Sequence, residues 1–290
     1  MNNFTQRKRY LGSIGVPSVV NAIFDRTLST PDDFFLKVGG DGASLPPVLV
    51  PFWGDLDGSD GVWQHWFCNR KATIVSALHE FSFLVFEDAR TLDQFVDDWI
   101  LTCIEGDEGV GEDARRLARH FGRSDETLEW LDQFSIDLGE RRDLPAFASE
   151  TPLTQVASLE QYDGDFPTPV LAHRARWDFC CEIEARGVLE NSLYKKDPAR
   201  YAEGAAAWLA HVEASPWLKK DTDKPDVFRH YLEKEDWARA WLSINAHGWK
   251  LSQVSDALHE LDRRTRAPGF DLLVAAWHEM LPQFTARDYY

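Results

Sequence analysis

Residues 49–104 read LVPFWGDLDGSDGVWQHWFCNRKATIVSALHEFSFLVFEDARTLDQFVDDWILTCI, and the succession of patterns in this stretch decides the fold class. Val62 to Cys68, Ala72 to Leu78 and Phe81 to Phe86 are three short runs rich in β-branched and aromatic residues, which predicts three strands. Asn69-Arg70-Lys71 supplies a turn. Links this short require antiparallel pairing, because a parallel crossover needs about a dozen residues or more. The pattern then changes period. Leu92, Phe95, Val96, Trp99, Ile100, Cys103 and Ile104 fall at the spacing of one buried helical stripe, so Thr91 to Ile104 is a helix. Thr91 with Gln94 makes a capping box at its start.

Working outward, Leu45 to Phe52 holds Pro46, Pro47 and Pro51 and suits an extended edge segment, where a missing N–H is tolerated. Pro51 to Gly61 then forms a loop rich in Gly and Asp, and Asp41, Asp55, Asp57 and Asp60 crowd this region. Further upstream, Pro17 to Arg26 reads as a short helix with Val19, Val20, Ile23 and Phe24 on one side. A second helix is signalled by Ser29 or Thr30 as cap, Pro31 at the first position, and Asp32 and Asp33 at the positive end of the dipole. Gly39-Gly40 stops it.

Downstream, helical periodicity returns at Asp113–Phe121 and Asp125–Phe134. Four prolines and little periodicity mark residues 142–169 as a linker. Beyond it the pattern is helical throughout: His173–Ala185, Ala199–Ala214, Val227–Leu232, Asp236–Ala246, Leu251–Arg264 and Leu272–Met280. Ala206-Ala207-Trp208-Leu209 and Arg239-Ala240-Trp241-Leu242 resemble each other, but two copies fall short of a repeat stack. The expected architecture is α+β: a first domain over 1–141 with a twisted antiparallel sheet flanked by helices, and an all-helical domain over 170–290.

Composition narrows the function. A hydrophobic share of 44% with 27% charged residues is that of a globular chain, and no apolar run spans a bilayer. The basic start, Arg7-Lys8-Arg9, is followed by no sustained apolar segment, so a signal peptide is not expected and the protein is read as cytoplasmic. Cys68, Cys103 and the adjacent Cys180 and Cys181 match no zinc spacing and read as buried thiols. Net charge is −17, with 48 acids against 31 bases. Nucleic acid is therefore not expected as a ligand, since a phosphate backbone needs clustered Lys and Arg. The charge is also uneven: between Glu80 and Asp113, Arg90 is the one base among eleven acids. Such a surface favours steered encounter with a basic protein.

Signals for chemistry are weak by comparison. Asp55, Asp57 and Ser59 fit the first positions of a calcium loop, but Asp60 stands where Gly is required and Trp66 where Glu is required. His79-Glu80 and His278-Glu279 begin like a zinc-protease motif, yet Phe83 and Pro282 stand where the second His belongs. Trp53, Trp63 and Trp66 could line a sugar-binding face or pack in the core. No nucleophile elbow, phosphate loop or CxxC is present. No enzyme activity, metal or cofactor is expected.

The residues Thr30-Pro31-Asp32-Asp33-Phe34-Phe35-Leu36-Lys37-Val38-Gly39-Gly40, then Val50-Pro51-Phe52-Trp53-Gly54-Asp55 with Gly58 and Gly61, then Leu92-Asp93-Gln94-Phe95, give this region its character. In that order they resemble the SUKH superfamily, which includes bacterial toxin-immunity proteins and the fungal Smi/Knr regulators. The resemblance covers about Pro17 to Ile104 and departs at Gly39-Gly40, where the family often has Asn-Gly. It implies a non-catalytic immunity protein that binds and occludes a cognate bacterial effector toxin, such as a nuclease with a basic cleft. Trp53 is the expected aromatic anchor, with Asp55, Asp57, Asp60, Glu87, Asp88, Asp97 and Asp98 as electrostatic contacts. Alternatives are a regulatory scaffold of the fungal type, or a protein that binds carbohydrate or another small molecule through its Trp-rich strand.

Overall fold

Four strands form one antiparallel meander in the order β1-β2-β3-β4: Leu49–Gly54, Gly58–Trp63, Thr73–Leu78 and Leu84–Ala89. The structure, a computed structural model, describes residues 4–28, 45–54, 58–67, 71–78, 84–137, 139–148, 150, 152, 222–245 and 249–281. Ahead of the sheet lie α1 (Thr5–Ser13) and α2 (Ser18–Phe24). After it come α3 (Leu92–Gly106), α4 (Glu112–His120) and α5 (Asp125–Ile136), then single 3-10 turns at Arg141–Asp143 and Pro145–Phe147. The last described helices are α6 (Lys224–Glu233), α7 (Trp237–Ile244), α8 (Leu251–Thr265) and α9 (Phe270–Met280). The class is α+β. The helices expected at 30–38, 173–185 and 199–214 lie outside the described residues, and no described helix is long and apolar enough to cross a membrane.

The sheet begins earlier than its sequence pattern indicates. Gly58 to Gly61, read above as loop, belongs to β2, with Ser59 opposite Gly54 and Asp60 opposite Trp53. Gly61 explains why. A Cβ there would stand 2.4 Å from the Val50 carbonyl oxygen and 2.7 Å from Pro51 Cα, so glycine lets the β1 backbone close in. The expected strand Val62–Cys68 is correspondingly shorter, ending at Trp63, and Phe67 turns the chain at φ 64°. The Trp66 and Phe67 rings lie 5.1 and 5.2 Å from Phe270 of α9, a contact local periodicity does not encode.

β1 is an edge strand with a bulge between Pro51 and Trp53, and Arg7 of α1 covers it. The Arg7 side chain has no solvent exposure. Its Nε donates to the Pro51 carbonyl at 2.8 Å and Nη2 to the Phe52 carbonyl at 2.9 Å. Nη1 donates to Asn21 Oδ1 of α2 at 3.0 Å, and the guanidinium carbon lies 3.7 Å from the centre of the Phe24 ring. Burial lowers its pKa to about 9 against the opposing pull of Asp25 and Glu279, so the group is charged at neutral pH. Glu279 of α9 accepts from the backbone N–H groups of Gln6 and Arg7 at 2.9 and 3.0 Å, capping α1 from the far end of the chain.

Two apolar cores result among the described residues. The larger joins α1, α2 and the sheet to α6–α9 through Tyr10, Phe52, Trp241, Trp249, Phe270 and Trp277. Hydrogen bonds run across the same boundary: Trp241 Nε1 donates to Gln64 O at 3.0 Å, and Val48 N to Asn245 Oδ1 at 2.6 Å. The division expected between 1–141 and 170–290 therefore does not separate two cores. Among the described residues the C-terminal helices complete the sheet's core, because a single sheet must bury its apolar face against something. The smaller core packs α3, α4 and α5 with Leu144 and Phe147.

Replacing Arg7 with Met should lower unfolding stability by about 2–4 kcal/mol, since each of two buried carbonyls left without a donor costs about 1–3 kcal/mol. Urea denaturation followed by circular dichroism measures this. A loss below about 1 kcal/mol would mean that β1 holds its bulge without the guanidinium.

Candidate partner-binding surface

Helix α3 forms much as its stripe requires. Thr91 caps it, accepting from Gln94 N at 3.2 Å. The Gln94 side chain turns elsewhere than a capping box would send it. Its Oε1 accepts from Arg90 N at 2.6 Å, and its Nε2 donates to Ala146 O at 3.0 Å and to Glu150 O. Gln94 is fully buried and ties the chain after α5 to the start of α3.

The acids on α3 are matched from downstream. Arg123, between α4 and α5, donates to Asp97 Oδ1 at 2.7 Å and to Asp93 Oδ1 at 2.8 Å. Arg141 grips Glu105 with two bonds of 2.7 and 2.6 Å and also pairs with Asp98. Bidentate pairing of this kind favours arginine over lysine. Burial pushes the Asp97 and Asp98 carboxyls above the usual range while the arginines pull the other way. Glu105, more open, is held below it by Arg141. The Asp97 side chain is only 18% exposed. These acids brace α3 against the following helices. Asp97 and Asp98, expected as open electrostatic contacts, are instead each paired with an arginine, although the Asp98 side chain stays 34% exposed.

The sheet residues gather into a polar knot. Asp60 on β2 faces Trp53 on β1 and Ser76 on β3, its direct partners in the register. Trp53 Nε1 donates to Asp60 Oδ2 at 3.0 Å, and Ser76 Oγ to Asp60 Oδ1 at 2.6 Å. The Trp53 ring packs 4.9 Å from Trp99 and 5.7 Å from Phe95 and is 3% exposed, so it is a core residue and no anchor for a partner. Glu87 is fully buried opposite Val75. Asp88 occupies the bulge where the β3–β4 register shifts. Burial raises its pKa to about 7 against the opposing influence of Ser76, and the nearby charges of Asp60 and Asp98 add to the rise. Asp55 and Asp57 lie outside the described residues.

Other candidates are absorbed by packing. Trp63 is buried and the Trp66 ring packs against Phe270, so these two rings are engaged in packing. His278 stacks on His259 at 4.6 Å, and Glu279 caps α1. Cys103 is free, and burial pushes its thiol up to about 11, away from reactivity. Cys68, Cys180, Cys181 and His79-Glu80 lie outside the described residues. Among the described residues no group of three or more His, Cys, Asp or Glu could hold a metal ion.

The helix expected at Asp125–Phe134 is α5, and its outward face is a further candidate surface. Ser124 caps it, accepting from Thr127 N at 3.2 Å, and Leu128 and Leu131 face the smaller core. Its outward side carries Glu126, Glu129, Trp130, Gln133 and Ile136, with Trp130 40% and Ile136 67% exposed. No Lys or Arg occurs between Ser124 and Glu140, and that base-free interval with a Trp off the apolar stripe was the available signal. Compared with protein-family models, with curated proteins and with solved structures, the chain matches none of them. The surface therefore stands on its own geometry.

Two outcomes follow from these pairings. Asp88 titrates at 3.8 when unperturbed and near 7 in the fold, so the native state holds an extra proton between those values and stability falls as pH rises through that window. Asp88→Asn should flatten this slope in urea titrations at a series of pH values; an unchanged slope would mean that Asp88 is not the group responsible. Arg141→Ala, which strands Asp98 and Glu105, should cost about 1–2 kcal/mol after allowance for partial exposure. A variant as stable as the parent would remove Arg141 as a brace.

Proposed function

We propose that this protein is a non-enzymatic, immunity-type inhibitor that binds a basic bacterial effector toxin, such as a nuclease, and covers its substrate cleft. The finer arrangement proposed for the α+β part is SUKH-like: leading helices, a four-strand antiparallel meander and a closing helix, here α1, α2, β1–β4 and α3. Packing of α6–α9 onto the same core would be this chain's own addition.

The observation that carries the reading is a carboxylate surplus that internal pairing does not consume. Between residues 91 and 141 there are fourteen acids against five arginines. Described ion pairs account for Asp93, Asp97, Asp98 and Glu105, and on α4 for Glu112 and Asp113. The acids of α5 remain outside them. A toxin that holds polyanionic substrate must display clustered Lys and Arg, and an acidic protein surface competes for that cleft on the same electrostatic terms. The same charge argues against nucleic acid as a direct ligand.

Co-expression with the effector encoded beside this gene should restore growth, and association of the purified pair should slow about tenfold or more between low and high salt, as steered encounters do. Failure to restore growth, together with salt-indifferent association, would contradict the proposal.

A further inference from the structure

Only three large hydrophobic side chains are exposed among the described residues, and two of them, Trp130 and Ile136, lie on α5. Their spacing puts them on one stripe with Glu126, Glu129 and Gln133, on the side of the helix opposite Leu128 and Leu131. The Trp130 ring is held in place: it lies 5.2 Å from Phe134 at 31°. Gly139 closes over Phe134: its N–H donates to the Phe134 carbonyl at 3.2 Å, and a Cβ there would stand 2.4 Å from the ring. An exposed aromatic that is already ordered loses little freedom on binding, which is what an interface anchor requires.

The charges around it have little structural reason of their own. Asp125 and Glu126 favour the helix start, but Glu129 and Asp132 lie beyond the first turn, and Asp137 sits at the C-cap, where the dipole disfavours an acid. Among the described residues no Lys or Arg forms an ion pair with any of these five; Asp137 takes only a hydrogen bond from Gln133 at 3.0 Å. A second copy of this chain would bring like charge against like, and nucleic acid or an anionic lipid surface would be repelled in the same way.

We propose that the outward face of α5 is the docking helix of this protein, and that its occupant is a basic protein surface in which an apolar pocket for Trp130 and Ile136 is rimmed by Lys or Arg. The inference rests on the reading of the protein as a binder of basic proteins, and adds the face and the anchor. The aromatic and aliphatic pair supplies residence time; Glu126, Glu129 and Asp132 supply encounter rate and orientation.

The test uses the full chain and a synthetic amphipathic helical peptide of Lys and Leu, with a Glu and Leu peptide as control, read by the indole N–H signals in heteronuclear NMR. The Trp130 signal is assigned by its loss in Trp130→Phe. The basic peptide should shift that signal while the acidic peptide does not. Trp130→Ala should weaken binding about tenfold or more, as loss of an anchor does. Glu126→Lys with Glu129→Lys should weaken it comparably and remove most of its salt dependence. Ile136→Ser, at a site 67% exposed, keeps the fold and should also weaken binding. Shifts confined to other indoles, equal binding of the acidic peptide, or a sedimenting dimer that Trp130→Ala dissolves would each overturn the proposal. The growth assay separates the two readings. If the parent chain rescues cells and the Trp130→Ala/Ile136→Ser variant rescues equally well, the α5 face is wrong and the inhibitor reading stands. If the parent chain fails to rescue while the basic peptide still shifts Trp130, the inhibitor reading falls and the face stands.

Discussion

The fold depends on a buried cation at the edge of its sheet. β1 is the first strand in the sheet order, and its Pro51 and Phe52 carbonyls, at the bulge, are buried acceptors that need donors. Arg7 satisfies both from α1 and reaches Asn21 on α2 with the same planar group. Glu279 then fixes the α1 backbone from α9, so the N-terminal helices, the edge strand and the last described helix are locked by one connected set of polar contacts. An unmatched guanidinium in this position would be costly, which makes the arrangement close to all-or-none. Exposed edge strands invite pairing with other chains, and this edge is covered.

A second electrostatic division sorts the carboxylates by task. The acids of α3 are matched by Arg123 and Arg141, which lie roughly one helix-turn-helix further along the chain and fold back to meet them. The acids of β2 and β4 are drawn into the sheet, where Asp60 accepts from an indole and a hydroxyl and Glu87 is fully enclosed. Among the described residues, α5 is where acids stand beside exposed apolar side chains, Trp130 and Ile136, with no ion pair to meet them. Charge density along a sequence and charge density on a surface are different quantities, and here the difference moves the candidate interface from one helix to another.

Much of the architecture was legible because its determinants are local. The 3, 4, 7 spacing of α3, the Thr91 cap, the short links of the meander and the prolines of the edge strand each report on a few consecutive residues. The failures share the opposite property. Gly61 looks like a loop glycine until the close approach of Val50 is known. Asp97 and Asp98 look open until Arg123 and Arg141 are placed beside them. Trp241 looks like part of a helical repeat until its indole is found on the Gln64 carbonyl, and with it a C-terminal half that belongs to the sheet's core. For Asp97, Asp98 and Trp241 the partner lies more than twenty residues away, and for Gly61 it lies across a strand pairing that the local pattern does not show. Trp130 is the exception, since its place off the Leu128–Leu131 stripe could be read from spacing alone.

Carboxylate footprinting bears most directly on this division of charge: the free protein is treated briefly with a carbodiimide and an amine, and the modified sites are located by mass spectrometry. Rapid modification of Glu126 and Glu129 with slow modification of Asp97, Asp98 and Glu105 is the expected result, because the latter three are held by arginines. Modification of Asp97 and Asp98 as fast as that of Glu126 and Glu129 would contradict it, and would return α3 to the surface that a partner meets.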